Sequence, residues 1–330
     1  MTGVGDATTP AELARVVRNG FVESVHTGHV VVVRGGTVLW AAGDPNLPML
    51  PRSSLKPVQA VACLTAGPGG GNGIDLSAVL AGDRLALAAG SHSGEPFHVA
   101  TVDGMLKEVG LTRAELGNVA SWPENARARD DAVRAGGVPE PVLMTCSGKH
   151  AAMLAACVAN DWPTASYLDM GHPVQRAVVG ATERLTGVNA AAVAVDGCGA
   201  CCPSTTLIGL ARAFGRIAVA PDGTAERAVA GAMRHHPEYV GGTGHPDTRL
   251  MQLVPGLIAK SGAEGVLVAA TADGTAVAVK CLDGGTRATT AVALAALRRA
   301  GAGLPPLPEL EQVPVLGGGV PVGRILVTIG

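Results

Sequence analysis

The stretch HVVVVRGGTVLWAAGDP, residues 29–45, predicts two β-strands joined by a turn at its Arg-Gly-Gly segment. The stretch GVLVAATADGTAVAVKCLDGG, residues 265–285, shows the same pattern around Asp-Gly, and an Ala- and Leu-rich helix is predicted to follow over about 287–300. Between the two hairpins most segments, such as HAAMLAACVAN, have helical patterns. Strands near both ends with helices between them indicate an α+β fold, with one antiparallel sheet flanked by helices and a mainly helical lobe.

The length and composition predict one two-lobed domain over residues 1–330. We expect the sheet to use about 18–45 and 260–330, and the helical lobe to occupy about 52–255. Apolar residues make up 47% of the chain but aromatic residues only 2%, so the core must be built from Val, Leu, Ala and Ile. A cleft between sheet and helices is the expected position of a site.

Charge and cysteine usage limit the class of protein. The net charge of −2, without a basic block and with few aromatic residues, argues against a nucleic-acid partner. The first twenty residues lack an export signal, and no segment approaches the roughly 18 apolar residues of a membrane span, so we expect a cytoplasmic protein with no membrane partner. Seven cysteines then indicate thiols or metal ligands and not a disulfide framework.

Lysine is scarce in this chain, because 20 of the 25 basic residues are arginine and only five are lysine. Only lysine offers an amine that burial can convert into a base. In PRSSLKPVQA, residues 51–60, Ser53 and Lys56 are three positions apart and share one face of a helix. This pair is either a nucleophile with its base or a serine that caps an ordinary helix.

Two further motifs follow in the order known from Ser-x-x-Lys enzymes. SHSGE begins at Ser91 after an apolar run, and alone it would be interpreted as a turn. The triplet Lys260-Ser261-Gly262 stands just before a predicted strand, like the Lys-Thr-Gly element of those enzymes. The three motifs together favour an acyl-enzyme serine amidohydrolase.

Two cysteine motifs leave alternatives open. In CSGKHAAML, residues 146–154, a thiol, an amine and an imidazole meet at a helix start, which favours either a Cys-His nucleophile at Cys146 or a buried cysteine beside a cap. In DGCGACC, residues 196–202, Cys198 and Cys201 form Cys-x-x-Cys with Cys202 adjacent. This group predicts a soft metal site or a redox pair.

The motifs together resemble the class 3 L-asparaginases, the zinc-binding type with a serine-β-lactamase-like fold. The matching segments run in order from about residue 18 to 302: RNGFVESVHTG, RSSLKPVQA, SHSGE, CSGKHAAML, HPVQ, DGCGA, HPEYVGG, AKSGAEGV and KCLDGGTRA. The resemblance implies hydrolysis of L-asparagine to L-aspartate and ammonia, and we expect a homodimer.

The resemblance also implies roles for individual residues. It implies two Ser-Lys pairs, Ser53 with Lys56 and Ser91 with Lys260. We expect substrate contacts from Arg52, Asp196 and His150. It further implies a zinc ion, in a supporting and not a catalytic role, held by Cys146, Lys149 and Cys198.

One departure from the family pattern lies beside the metal site that the resemblance implies. Relatives commonly have Asp-Gly-Cys-Gly-Ala-Pro, whereas here Cys201 and Cys202 stand before Pro203. The two extra thiols could replace a ligand, compete for the ion or oxidise together. Two alternative functions remain at this stage: a glutaminase or other Ser-x-x-Lys amidohydrolase, and a non-catalytic thiol- or metal-binding protein.

Overall fold

The two hairpins predicted from the sequence form the centre of the sheet. The computed structural model describes residues 9–67 and 71–329; the first eight residues of the segment tested for an export signal lie outside this part. The strands in the described residues are β1 Ala11–Arg18, β2 Phe21–Arg34, β3 Thr37–Ala42, β4 Pro48–Met49, β5 Val193–Val195, β6 Cys201–Pro203, β7 Thr205–Thr206, β8 Ile258–Gly262, β9 Val266–Ala270, β10 Ala276–Cys281, β11 Pro314–Gly317 and β12 Val320–Val327.

Most of the helices lie between the two sets of strands. They are α1 Lys56–Thr65, α2 Leu76–Val79, α3 Gly82–Ala88, α4 Pro96–Glu108, α5 Ala126–Arg134, α6 Ser147–Ala159, α7 Pro173–Thr186, α8 Leu207–Ala218, α9 Ala225–His235, α10 Pro237–Gly241, α11 Pro246–Leu253, α12 Thr289–Arg299 and α13 Pro308–Glu311. The predicted helix at about 287–300 is therefore confirmed as α12.

The main sheet is antiparallel throughout and has the order β11-β12-β1-β2-β10-β9-β8, with β3 also paired to β2. Strands from the two ends of the chain meet where β2 pairs with β10, with Val32 opposite Val277. Small pairs β4-β7 and β5-β6 lie outside this sheet. This is the α+β arrangement that the sequence predicts.

Small aliphatic side chains fill the core, as the composition requires. Val30 to Val33 of β2 are all buried, and consecutive strand residues point to opposite faces, so both faces of the sheet are covered here. Helices α8 and α12 both pack against β2, β9 and β10. The helical lobe is centred on α1, whose residues 56–63 are all buried and which packs against α6, α7 and α9.

Two features of this fold position the site. The start of α1 lies against the edge strand β8, and α11 leads into that strand and packs against it. Residues from distant parts of the sequence therefore meet at one end of α1. No helix in residues 9–67 and 71–329 has both the length and the apolar character required to cross a membrane.

Candidate active site

The segment that carries Ser53 is a short 3-10 helix, Arg52–Leu55, which continues directly into α1 at Lys56. The Ser53 side chain does not cap either helix, and the Ser54 hydroxyl instead donates to the Pro51 carbonyl over 2.6 Å. Ser53 is partly exposed, and its hydroxyl makes no hydrogen bond within the described part of the chain. The capping interpretation of this serine is therefore not needed, and its hydroxyl is available for chemistry.

Lys56 is fully buried, and its amine faces the SHSGE segment. Its Nζ donates to Ser91 Oγ over 2.7 Å and to the Thr145 carbonyl over 3.3 Å. Burial lowers the pKa of the Lys56 amine, and the charges of Lys149 and Lys260 act in the same direction. The structure thus brings together Lys56 and Ser91, whereas the resemblance implies Lys260 as the partner of Ser91.

The SHSGE segment is an irregular connection before α4, held by contacts on both sides. The Ser91 amide donates to the Val240 carbonyl over 2.7 Å, and the His92 amide donates to Thr145 O over 3.1 Å. The Gly94 amide donates to His92 Nδ1, so Nε2 carries the ring hydrogen and donates to Ser147 Oγ over 2.7 Å. His92 therefore fixes the Ser91 segment against the start of α6.

Lys260 lies on β8 and is also fully buried. Its Nζ donates to Asp247 Oδ2 over 3.2 Å and to the Ser261 carbonyl over 2.7 Å. Burial alone would raise the pKa of Asp247, but the charges of Lys260 and His245 and the hydrogen bonds from Ser261 bring it down to about 2. No hydrogen bond joins Lys260 and Ser91 among the described residues.

Asp247 is a site residue that sequence reasoning missed. It follows His245 and Pro246 at the start of α11, where an acidic residue is normally explained by the helix dipole. His245 is the N-cap of this helix, because its Nδ1 accepts from the Asp247 amide. The only available signal was an acidic side chain thirteen residues before Lys260. That spacing does not predict a contact, because the two residues meet only when α11 packs against β8.

Gly262 of the Lys-Ser-Gly triplet allows β8 to lie against the 3-10 helix. A Cβ at this position would lie 2.8 Å from Pro51 O, 3.0 Å from Ser54 N and 3.4 Å from Ser53 N. These neighbours are backbone atoms and cannot rotate away. The triplet therefore needs glycine at its third position, because any side chain there would collide with the backbone of the serine segment.

We expect Gly262→Ala to destabilise the protein by about 1–3 kcal/mol, because the added methyl group pushes the serine segment away from β8. Gly231→Ala in α9 is the matched control, since a Cβ there has no neighbour within 4 Å and alanine favours a helix. Denaturant unfolding measures both effects. Equal stability of the two variants would contradict the close approach.

Arg52 and Asp196 form an ion pair beside the serine segment. Arg52 Nε donates to Asp196 Oδ1 over 2.7 Å, although Arg52 lies 144 positions earlier in the chain. Burial raises the pKa of Asp196, but the hydrogen bond and charge of Arg52, the charge of Lys149 and the hydrogen bond from the Gly197 amide together keep that pKa below its usual value. A cavity of about 320 Å³ is lined by Arg52 together with His29, Pro48, Met49, Leu50, Glu264, Lys280 and Leu282. Its size is in the range of small-molecule sites.

Cys146, Lys149 and Cys198 come together at the start of α6. Lys149 Nζ donates to Cys198 Sγ over 3.0 Å. The hydrogen bond with Cys198 lowers the pKa of Cys146 well below its usual value, so the pair favours one thiolate facing the Lys149 amine. Residues 9–67 and 71–329 contain no group of three or more His, Cys, Asp or Glu side chains that could hold a metal.

The two additional cysteines do not join this cluster through any hydrogen bond in the described chain. The Cys201 thiol donates to the Gln175 carbonyl over 3.7 Å, and burial raises its pKa to about 12. Cys202 is also buried, and burial raises its pKa as well. All seven cysteines are free and buried.

His150 lies in the interior of the helical lobe, next to Lys149 in the sequence. Its Nδ1 is 2.6 Å from the Tyr167 hydroxyl, which accepts from the Gly117 amide. Its Nε2 is buried and has no hydrogen-bond partner among the described residues. Burial lowers the pKa of His150 well below its usual value, so the ring is neutral.

Comparisons with known proteins were made on both sequence and structure. The profile of the L-asparaginase II family matches residues 14–327. None of the curated proteins matches the chain significantly.

Three solved structures illustrate the structural likeness. A β-lactamase from Mycobacterium bovis is 14% identical with a TM-score of 0.46, over 83% of this chain and 94% of that one. EstCE1, described as a hydrolase with promiscuous acyltransferase activity, is 11% identical with a TM-score of 0.44, over 84% and 93%. Mglu is 11% identical with a TM-score of 0.46, over 90% and 74%. At these values the likeness carries no argument about activity.

Proposed function

Because this chain belongs to the L-asparaginase II family, we propose that it is an amidohydrolase that converts L-asparagine to L-aspartate and ammonia. The observation that carries the proposal is the Lys56 amine, which is fully buried, lies 2.7 Å from Ser91 Oγ and belongs to the residue three positions after Ser53. A buried lysine with a lowered pKa beside a serine hydroxyl is suited to act as a general base.

In the proposed mechanism Ser53 is the nucleophile. Its Oγ attacks the carboxamide carbon, and its proton passes to the neutral Lys56 amine. The carbon–nitrogen bond then breaks, and the leaving nitrogen takes a proton from Lys56 through the Ser91 hydroxyl, so that ammonia departs. Water attacks the resulting ester and Lys56 takes its proton; the carbon–oxygen bond to Ser53 then breaks, Lys56 returns the proton to Ser53 Oγ, and aspartate is released.

Substrate binding is proposed to use the Arg52–Asp196 pair and the cavity beside it. The Nε of Arg52 is bound to Asp196, which orients the guanidinium, and the cavity holds both positive and negative side chains. A substrate that carries an α-carboxylate and an α-ammonium group matches such a mixed lining. His150 is fully buried, with its Nδ1 against the Tyr167 hydroxyl, so we propose that it supports the fold around Lys149 instead of touching the substrate.

An ammonia-release assay on asparagine and on glutamine, with and without a chelator, tests the function. We expect asparagine to react faster, although one methylene group is worth only about 1–3 kcal/mol and some glutaminase activity would be compatible. Faster release from glutamine would assign a glutaminase. Release from neither amide would favour the non-catalytic thiol- or metal-binding alternative.

Zinc binding is proposed at Cys146, Lys149 and Cys198. The donor set fits, because two thiols and an amine converge and such soft donors suit zinc. The ligands must lose their protons to bind, so affinity should fall at low pH. When bound, zinc would supply a fixed positive charge at the start of α6, in the supporting role that a thiolate-rich site normally has.

Cys198→Ser is expected to remove most of the bound zinc, since an alcohol is a far weaker zinc ligand than a thiolate. Cys201→Ser is the matched control, because that thiol points to the Gln175 carbonyl. Elemental analysis of the purified variants gives the zinc content per chain. An unchanged content in Cys198→Ser, or a loss in Cys201→Ser, would contradict the assigned ligands.

A further inference from the structure

The contact between Lys260 and Asp247 joins two fully buried side chains. Asp247 Oδ2 accepts three hydrogen bonds: from Lys260 Nζ at 3.2 Å, from the Ser261 amide at 2.8 Å and from the Ser261 hydroxyl at 2.8 Å. Three donors on one oxygen are suited to an ionised carboxylate. An ionised carboxylate without solvent needs a cation in contact with it.

Lys260 is the residue that can provide this cation. The ring of His245 lies 3.8 Å from Asp247 Oδ2, but its Nδ1 accepts from the Asp247 amide and so carries no hydrogen there. Lys260 Nζ faces only acceptors, Asp247 Oδ2 and Ser261 O, and an ammonium ion keeps a third hydrogen free in addition to these two bonds.

The choice of aspartate at position 247 also needs an explanation. An uncharged asparagine could accept the two hydrogen bonds from Ser261 without burying a charge. Asp247 Oδ1 moreover has no hydrogen-bond partner among the described residues, which costs stability. A carboxylate is therefore required by Lys260 and not by the local backbone.

We propose that Asp247 is a positioning residue that holds Lys260 as an ammonium ion, so that Lys260 serves the reaction as a fixed positive charge and not as the base of Ser91. This inference rests on the proposed amidohydrolase function. Lys260 is two residues from Gly262, which lies against the Ser53 segment, and its charge is close enough to act on the Lys56 amine. There it stabilises the negative charge that forms on the attacked carboxamide oxygen.

The isosteric variant Asp247→Asn distinguishes a cation from a base at Lys260, because the two roles predict opposite changes in kcat/KM. Without the carboxylate, the buried amine gives up its proton more readily. If Lys260 is the required cation, the kcat/KM of the variant relative to the native protein falls from about pH 6 to about pH 9 and is at most about a tenth at pH 9. If Lys260 is a base, its amine is neutral over more of this range in the variant than in the native protein, so the ratio stays at or above one, and the proposal is overturned.

A second experiment restores the positive charge at position 260 with arginine. Arginine keeps its proton throughout this range, so the double variant Asp247→Asn/Lys260→Arg should lose the pH dependence. Lys260→Arg should also exceed Lys260→Met in kcat/KM by at least about tenfold, because only the former is a cation. Equal activities of the arginine and methionine variants, with both folded by circular dichroism, would contradict the role as a cation.

Stability against pH provides a readout that does not depend on activity. The groups facing the pair are His245 beside Asp247 and Lys56 from α1, and both are retained in Asp247→Asn. A neutral Lys260 in the folded variant binds fewer protons than the unfolded chain, so the unfolding free energy of the variant must rise relative to the native protein from about pH 6 to about pH 10. A constant difference would mean that Asp247 does not set the charge of Lys260.

Thr248→Val is the control for a merely structural effect at the start of α11. It removes the hydrogen bond from Thr248 to the Pro237 carbonyl but leaves the Asp247–Lys260 contact intact. We expect lower stability without a change in either pH profile. If the native protein releases no ammonia from asparagine, the proposed function fails, whereas the stability measurement still decides the charge of Lys260.

Discussion

Ser53→Ala is expected to reduce ammonia release from asparagine by at least about a thousandfold, because it removes the atom that forms the acyl-enzyme. The Ser53 hydroxyl makes no hydrogen bond among the described residues and is partly exposed, so its loss should leave the fold and the melting temperature nearly unchanged. Steady-state ammonia release and thermal unfolding, measured on the same preparation, give both quantities.

Ser54→Ala is the matched control for this experiment. Ser54 is buried, and its hydroxyl donates to the Pro51 carbonyl, so its loss should lower stability by about 1 kcal/mol but keep most of the activity. Full activity of Ser53→Ala, together with loss of activity in Ser91→Ala, would transfer the nucleophile to Ser91. Loss in Ser54→Ala alone would contradict the assignment of either serine.

Lys56→Arg is expected to be nearly as damaging as Ser53→Ala. Arginine keeps its proton at neutral and mildly alkaline pH, so no base remains beside Ser91. General-base catalysis contributes about 10²–10⁴-fold, which sets the expected loss in kcat. The measurement is kcat across pH, with circular dichroism to confirm that the larger side chain is accommodated in its buried position.

Lys107→Arg provides the corresponding surface exchange, since Lys107 is exposed near the end of α4. It should leave kcat unchanged. Lys56→Met is a second core variant that removes the amine without adding volume, and it should match Lys56→Arg in activity. A harmless Lys56→Arg would remove Lys56 from the mechanism, whatever the result for Ser53.

Substitutions of Lys56 and of Lys260 are expected to have different effects, although both residues are buried lysines of Ser-Lys motifs. Lys56 contacts a serine hydroxyl and a carbonyl, whereas Lys260 contacts a carboxylate. An amine beside hydroxyls can lose its proton at modest cost, but one paired to a carboxylate cannot, because the partner charge would then be buried alone. The roles that we propose for the two lysines therefore differ: Lys56 acts as a base and Lys260 as a cation.

The hairpins and their sheet could be predicted because their signals are local. The valine run of β2 and the glycine turn that follows it determine a strand and its reversal within a few residues. Helix α12 has similarly clear limits. Family membership, established by the match over residues 14–327, likewise requires only the sequence.

The partners of the site residues could not be predicted in this way. Ser91 is held by the Val240 carbonyl and meets a lysine 35 positions away, while Lys260 meets a carboxylate from α11 instead of a serine. Spacing along a helix places Ser53 and Lys56 near each other, but it does not determine which hydroxyl the flexible lysine stem reaches. That choice depends on which loops pack against the start of α1.

The sequence by itself determined the sheet, the helix positions and the few lysines that could carry chemistry, because turn residues, apolar periodicity and composition act within short segments. Only the tertiary structure decided that Lys56, Lys149 and Lys260 are fully buried and what each one faces. Their partners lie 35, 49 and 13 positions away in the chain. Desolvation and the nearest charge set the protonation of an amine, and both arise from packing between segments that are distant in the sequence.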